Sequence, residues 1–147
     1  MNAGILGGGG VISGAVTVGT GSGGGAFLAP AAGTTQHKTL RLQSSLTFQS
    51  DATYTVTFIA KADRVRTDKV VANGVTINSA TIAIEGIAQG TLTTGTVITL
   101  ISNTSANPID GTFNNLPDGA IVTVNGNNFE ASYTGGDGND LTLTVVP

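Results

Sequence analysis

The chain has 147 residues, enough for one domain with a real core, and its 39% apolar content is too high for a wholly disordered segment. With 22 glycines, no Trp, no Cys and only 10% charged residues, it lacks disulfides and thiolate metal sites and is unlike an ordinary globular enzyme. A net charge of −3, with six scattered basic residues, argues against a nucleic-acid surface. No run of about 18 apolar residues is present to cross a bilayer as a helix, and MNAGILGGGG lacks the basic region and apolar stretch of a signal peptide.

Residues 1–36 are glycine-rich but carry small apolar islands at Val11-Ile12, Val16-Thr17-Val18 and Phe27-Leu28. A flexible linker is one reading, and short strands joined by glycine corners is the one taken here. Residues 37–101 follow with Leu40–Leu42, Leu46–Phe48, Thr53–Phe58, Val70-Val71, Val75–Ile77 and Ile82–Ile84. These segments are too short for helices, and their Val, Ile and Thr content favours pleated strands. Segments beginning at Ala15, Ser45 and Gly74 align, apolar-Thr-apolar followed by a small or polar pair, at offsets of 30 and 29 residues. A strand precedes and follows each one, so three strands repeat three times.

Residues two apart share a strand face, so Leu40/Leu42, Leu46/Phe48, Tyr54/Val56/Phe58, Val75/Ile77 and Ile82/Ile84 point inward and the intervening threonines face solvent. Lys61–Lys69 is charged and reads as a solvated loop, with a binding patch as the alternative. Val97–Ile101 is an apolar strand. Residues 102–147 then hold a loop with Pro108 and three segments, Ala120–Val124, Asn128–Tyr133 and Leu141–Val146, whose short connections predict antiparallel hairpins. The expectation is a single all-β domain over 1–147, a β-solenoid of about three coils. Residues 1–36 form its glycine-rich first coil, 37–101 its central coils and 102–147 a C-terminal antiparallel hairpin cap over an otherwise exposed edge.

Gly111-Thr-Phe-Asn-Asn-Leu-Pro-Asp-Gly119, followed by Tyr133-Thr-Gly-Gly-Asp-Gly-Asn-Asp-Leu-Thr-Leu143, resembles the end of bacterial autotransporter-associated β-strand repeat regions. Leu6–Val18 with Leu28-Ala-Pro30 is similar to the glycine-rich part of that family, and Asp68-Lys-Val-Val-Ala-Asn-Gly74 to its Asp-(Lys/Gln)-apolar-apolar-x-x-Gly segment. The resemblance covers nearly the whole chain. It implies a right-handed parallel β-helix from the passenger part of a large secreted or surface protein, acting as stalk or scaffold with no shared catalytic residues. The family's outer-membrane barrel and signal peptide are not in this sequence, which fits either a fragment or a small protein that uses the fold alone.

Candidate chemistry is sparse. Gly135-Gly-Asp-Gly-Asn-Asp140 resembles one calcium-binding nonapeptide unit, and Asp137 and Asp140 with turn carbonyls suit a hard cation. Such sites stack successive units and this one occurs once, so a tight turn with solvated carboxylates is the plainer reading. His37 is the single histidine, and Ser44, Ser45 and Ser102 lack a nucleophile's setting. Asp63, Asp68 and Glu85 could approach one another as a carboxylate group. The glycine-rich start lacks the Lys-Ser pair and helix of a phosphate loop. The expected role is non-catalytic and without a required cofactor: an extracellular or cell-surface structural module, acting as stalk, scaffold or self-associating filament subunit through its strand-bearing ends. The alternative is an adhesin module binding glycans or a host surface.

Overall fold

The computed structural model describes residues 4–7, 10–21, 26–29, 39–61, 64–88, 92–124, 126–135 and 138–146. Segments rich in Val, Ile and Thr, interrupted by Gly, Asn and Ser, become fifteen strands among these residues. They are β1 (Gly4–Leu6), β2 (Val11–Ile12), β3 (Val16–Val18), β4 (Ala26–Leu28), β5 (Thr39–Leu42), β6 (Leu46–Phe48), β7 (Ala52–Lys61), β8 (Arg64–Thr67), β9 (Lys69–Ala72), β10 (Val75–Ile77), β11 (Thr81–Ala88), β12 (Val97–Asn103), β13 (Ile121–Val124), β14 (Asn127–Gly135) and β15 (Asp140–Val146). No helix among the described residues is long and apolar enough to cross a membrane.

Three sheets result. The first runs β1-β4-β7-β11, all parallel, with β8 added to β7; the second is the parallel trio β10-β6-β3; the third is the seven-stranded β13-β14-β15-β12-β9-β5-β2. The aligned segments of the sequence are strand neighbours, with Val16 beside Leu46 beside Val75 and Val18 beside Phe48 beside Ile77. The flanking strands keep the same order: Leu6, Leu28, Tyr54 and Ile82 lie in register, as do Leu40, Val70 and Ile101. The three-part repeat is therefore a set of pairing registers.

The expected architecture needs correction. The chain does not form a single right-handed parallel β-helix closed by a separate antiparallel cap, because its third sheet is mixed. β12 pairs parallel with β9 at Ile101–Val70 and antiparallel with β15 at Ile98–Leu143, and β14 and β13 then follow antiparallel in that same sheet. The short connections around Gly126 and Gly138 force antiparallel neighbours, and the apolar β15 takes the edge of β12 left free by β9. The hairpin strands thus extend a sheet sideways and do not lie across an end. A second correction concerns Lys61–Lys69: instead of a loop, β8 returns along β7 in antiparallel register from Phe58–Thr67 to Lys61–Arg64.

The inward alternation holds except at Ile84, which is half-buried against the core. Leu40, Leu42, Leu46, Phe48, Tyr54, Val56, Phe58, Val75, Ile77 and Ile82 are all buried, and one apolar cluster runs through all three sheets. Phe48, Tyr54 and Phe113 pack ring to ring at centroid separations of 5.4 to 6.2 Å, and Phe58 meets Phe129 edge-on at 5.5 Å. The Tyr54 hydroxyl, fully buried, donates to the Leu100 carbonyl at 2.7 Å. Burial pushes that phenol well above its usual range, with the nearby Asp68 carboxylate adding to the effect.

Candidate functional site

The polar residues converge where β12 ends. Along β12 the register against β15 shifts between Thr99 and Ile101. That bulge turns both Leu100 and Ile101 inward and resets the alternation, so Asn103 also points into the core and has no solvent exposure. A buried amide must find partners, and Asn103 finds three. Its Oδ1 accepts from the Gly74 and Ser105 backbone amides at 3.1 Å each, and its Nδ2 donates to the Asn107 carbonyl at 2.9 Å. Its own backbone amide donates to Asp140 Oδ1 at 2.9 Å.

Beyond Asn103 the chain folds over the last strands of the first two sheets. Ile77 N donates to Asp110 O at 2.7 Å and Asp110 N to Val75 O at 2.9 Å, so the segment pairs with the outer edge of β10. Asn114 N donates to Ala80 O, and the Asn115 side chain brackets Ile82, accepting from its amide at 3.0 Å and donating to its carbonyl at 2.7 Å. Gly111 sits at φ +89° directly against the Ile77 carbonyl, where any side chain would collide with backbone. The Tyr133 hydroxyl locks the far side, donating to Leu116 O at 2.6 Å and accepting from Phe113 N at 3.0 Å. Burial pushes its phenol up to about 12.

The same device recurs elsewhere. Asp68 accepts from Thr57 N at 3.0 Å, Asn127 from Leu92 N at 2.9 Å and Asp118 from Tyr133 N at 3.0 Å. At the corner between β6 and β7, the Asp51 carboxylate accepts from Thr20 N and Gly21 N at 2.8 to 3.0 Å. These two amides, Thr20 first, hold the Asp51 carboxyl below its ordinary value of 3.8.

Between β10 and the 104–110 segment lies a groove of about 410 Å³, bordered by Ser45, Asn73, Thr76, Asn107, Pro108 and Asp110. Asn73, Asn107 and Asp110 are exposed there and present amide and carboxylate groups beside the apolar Pro108 ring and Val75. This mixture can hydrogen-bond a neutral polyhydroxyl ligand. Sequence reasoning missed this groove, because its walls come from the starts of two aligned strands and from the 105–110 loop, segments about thirty residues apart.

Of the residues singled out from sequence, Asp140 is buried and its Oδ1 is engaged by Asn103 N, while Asp137 lies outside the described residues. Beside Asp140, Asn139 donates to Ser105 O at 2.6 Å, and its Oδ1 is buried without a hydrogen bond. His37 and Asp63 also lie outside the described residues. Asp68 is buried as a backbone acceptor, and Ser45 borders the groove. No group of three or more His, Cys, Asp or Glu side chains able to hold a metal occurs among the described residues. Comparison with protein-family models, curated proteins and solved structures finds no match to this chain.

Proposed function

We propose that this chain is a non-catalytic structural module of an extracellular or cell-surface protein, serving as a stalk or scaffold element or a self-associating subunit. One observation carries the reading. Of the five buried polar residues among those described, Asp68, Asn103, Asn127 and Asp140 each accept a bond from a backbone amide, so their side chains hold the chain's own corners together. Groups spent in this way are poorly placed to act as acids, bases or nucleophiles. The extracellular setting rests on the residue-level resemblance of Gly111–Gly119 and Tyr133–Leu143 to autotransporter-associated repeats. The test is reducing-end release from acidic and neutral polysaccharides by the purified chain. Release no greater than from a heat-unfolded sample is expected, and steady turnover would overturn the reading.

The groove supports a second reading, a glycan-binding module, through the exposed Asn73, Asn107 and Asp110 side chains. On this reading a glycan array gives discrete signals that Asn107→Ala abolishes. Signals no stronger than background with the native chain would dispose of it.

A further inference from the structure

After β12 the chain is pinned to the preceding repeat at two points. Thr104 N donates to Ala72 O at 2.7 Å, and Asp110 N donates to Val75 O at 2.9 Å. The groove of about 410 Å³ opens between them, a volume within the range of clefts that hold small ligands.

Asp110 is held in this groove by its backbone alone. Its amide donates to Val75 O and its carbonyl accepts from Ile77 N, so the Cα position is fixed from both sides. Asp110 faces Thr76 across a parallel bridge, and residues paired in this way project to the same face of the sheet. Thr76 points outward between the buried Val75 and Ile77, and Asp110 is exposed beside it. Its carboxylate has no hydrogen-bond or ion-pair partner among the described residues. It is also the one charged group among the described residues that border the groove, which include no Lys, Arg or His.

The other polar side chains there are the carboxamides of Asn73 and Asn107 and the hydroxyls of Ser45 and Thr76. Each of these can donate and accept, so they suit the hydroxyls of any sugar whatever its charge. Discrimination among sugars falls to Asp110. We infer that the groove takes neutral and amino sugars, with amino sugars preferred, and turns acidic sugars away, Asp110 being the residue that selects. The inference rests on the glycan-binding reading above and adds the class of glycan to it. An ammonium group donates to the carboxylate in a charge-assisted hydrogen bond. A uronate or sulfate instead meets a like charge, with no cation in the groove to offset it, on a chain whose net charge is already −3.

Isothermal titration calorimetry in mildly acid buffer, where sugar amines are charged, tests this with oligomers of glucosamine, N-acetylglucosamine and galacturonic acid of equal length. The native chain should bind the glucosamine oligomer about two- to fivefold more tightly than the acetylated one, the range that one exposed ion pair supplies. That gap should close as salt rises, and the galacturonic acid oligomer should give no heat of binding. Asp110→Asn should bring the first two sugars to equal affinity. Its melting curve should match that of the native chain, since the Asp110 backbone makes the fold's contacts. Asn107→Asp adds a carboxylate at an exposed position of the same groove and should widen the gap, which keeps the test decisive if Asp110→Asn disturbs folding. Glu130→Gln removes an exposed charge on β14, outside the groove, and should leave the ratio unchanged. Three results would each overturn the inference and leave the glycan reading in place: equal affinity for both neutral and amino sugars in the native chain, comparable binding of the acidic oligomer, or a preference lost in Glu130→Gln as fully as in Asp110→Asn. Binding of none of the three oligomers would remove the glycan reading together with the inference.

Discussion

The Asn103 amide supplies, for Gly74, Ser105 and Asn107, hydrogen bonds that the sheet no longer provides once β12 ends. Asn103→Ala leaves the half-buried Gly74 and Ser105 amides without their acceptor, and each costs about 1 kcal/mol, the low end of the range for a fully buried stranded donor. We expect a loss of about 2 kcal/mol in urea unfolding, with the slope unchanged. Asp51 acts at the surface and its effect is read through pH. Its folded pKa is depressed, so its contribution is present above the unfolded value near 3.8 and is lost as pH falls through the lower folded value. The Thr20 and Gly21 amides should lose hydrogen-exchange protection across that acid window, and Asp51→Asn should remove the pH dependence. Tyr133 has the opposite sign. Its raised pKa means that stability is intact below about 10 and is lost as pH rises through about 12, a loss that Tyr133→Phe should flatten in alkaline melts. None of these roles was legible beforehand. Strict alternation from Ile98 and Leu100 puts Ser102 inward and Asn103 outward, and only the bulge, which has no residue signature in VITLI, reverses them.

Among the elements, the strands of the first hundred residues were largely legible because each repeat carries the same apolar-Thr-apolar core, which strand pairing then sets side by side. Both hairpins of the C-terminal meander were legible from their short connections, and their pairing confirms them. The partner of that meander was not, since β12 and β15 lie some forty residues apart and nothing in either strand specifies the other. Likewise Lys61–Lys69 looked like a loop because its run of charges hides the strand that pairs antiparallel with β7. The 104–119 segment, polar and containing two prolines, also reads as loop, yet it bonds to the outer edge of β10. Gly111 is its tightest point. A non-glycine residue in left-handed backbone costs about 1–2 kcal/mol, and here the added Cβ also meets the Ile77 carbonyl. Gly111→Ala should therefore destabilise by at least about 2 kcal/mol, a fall of roughly 4–8 °C in Tm for a domain of this size. Gly119→Ala, with the same sign of φ but open space around it, should cost only the backbone part.

The whole molecule consists of three sheets around one apolar core, with buried carboxylate and amide groups that tie down corners. At the outer edges of β10 and β11, the backbone of Asp110 and Asn114 and the side chain of Asn115 finish the strands. The central claim is that these polar groups are fasteners, and native-state amide hydrogen exchange tests it most directly. Thr57, Gly74 and Ile82 donate to the side chains of Asp68, Asn103 and Asn115, so their amides should exchange as slowly as those in the middle of β14, which is paired on both sides. Exchange of these three at the rate of exposed turn amides would show that the polar side chains hold nothing in place, and would contradict that role.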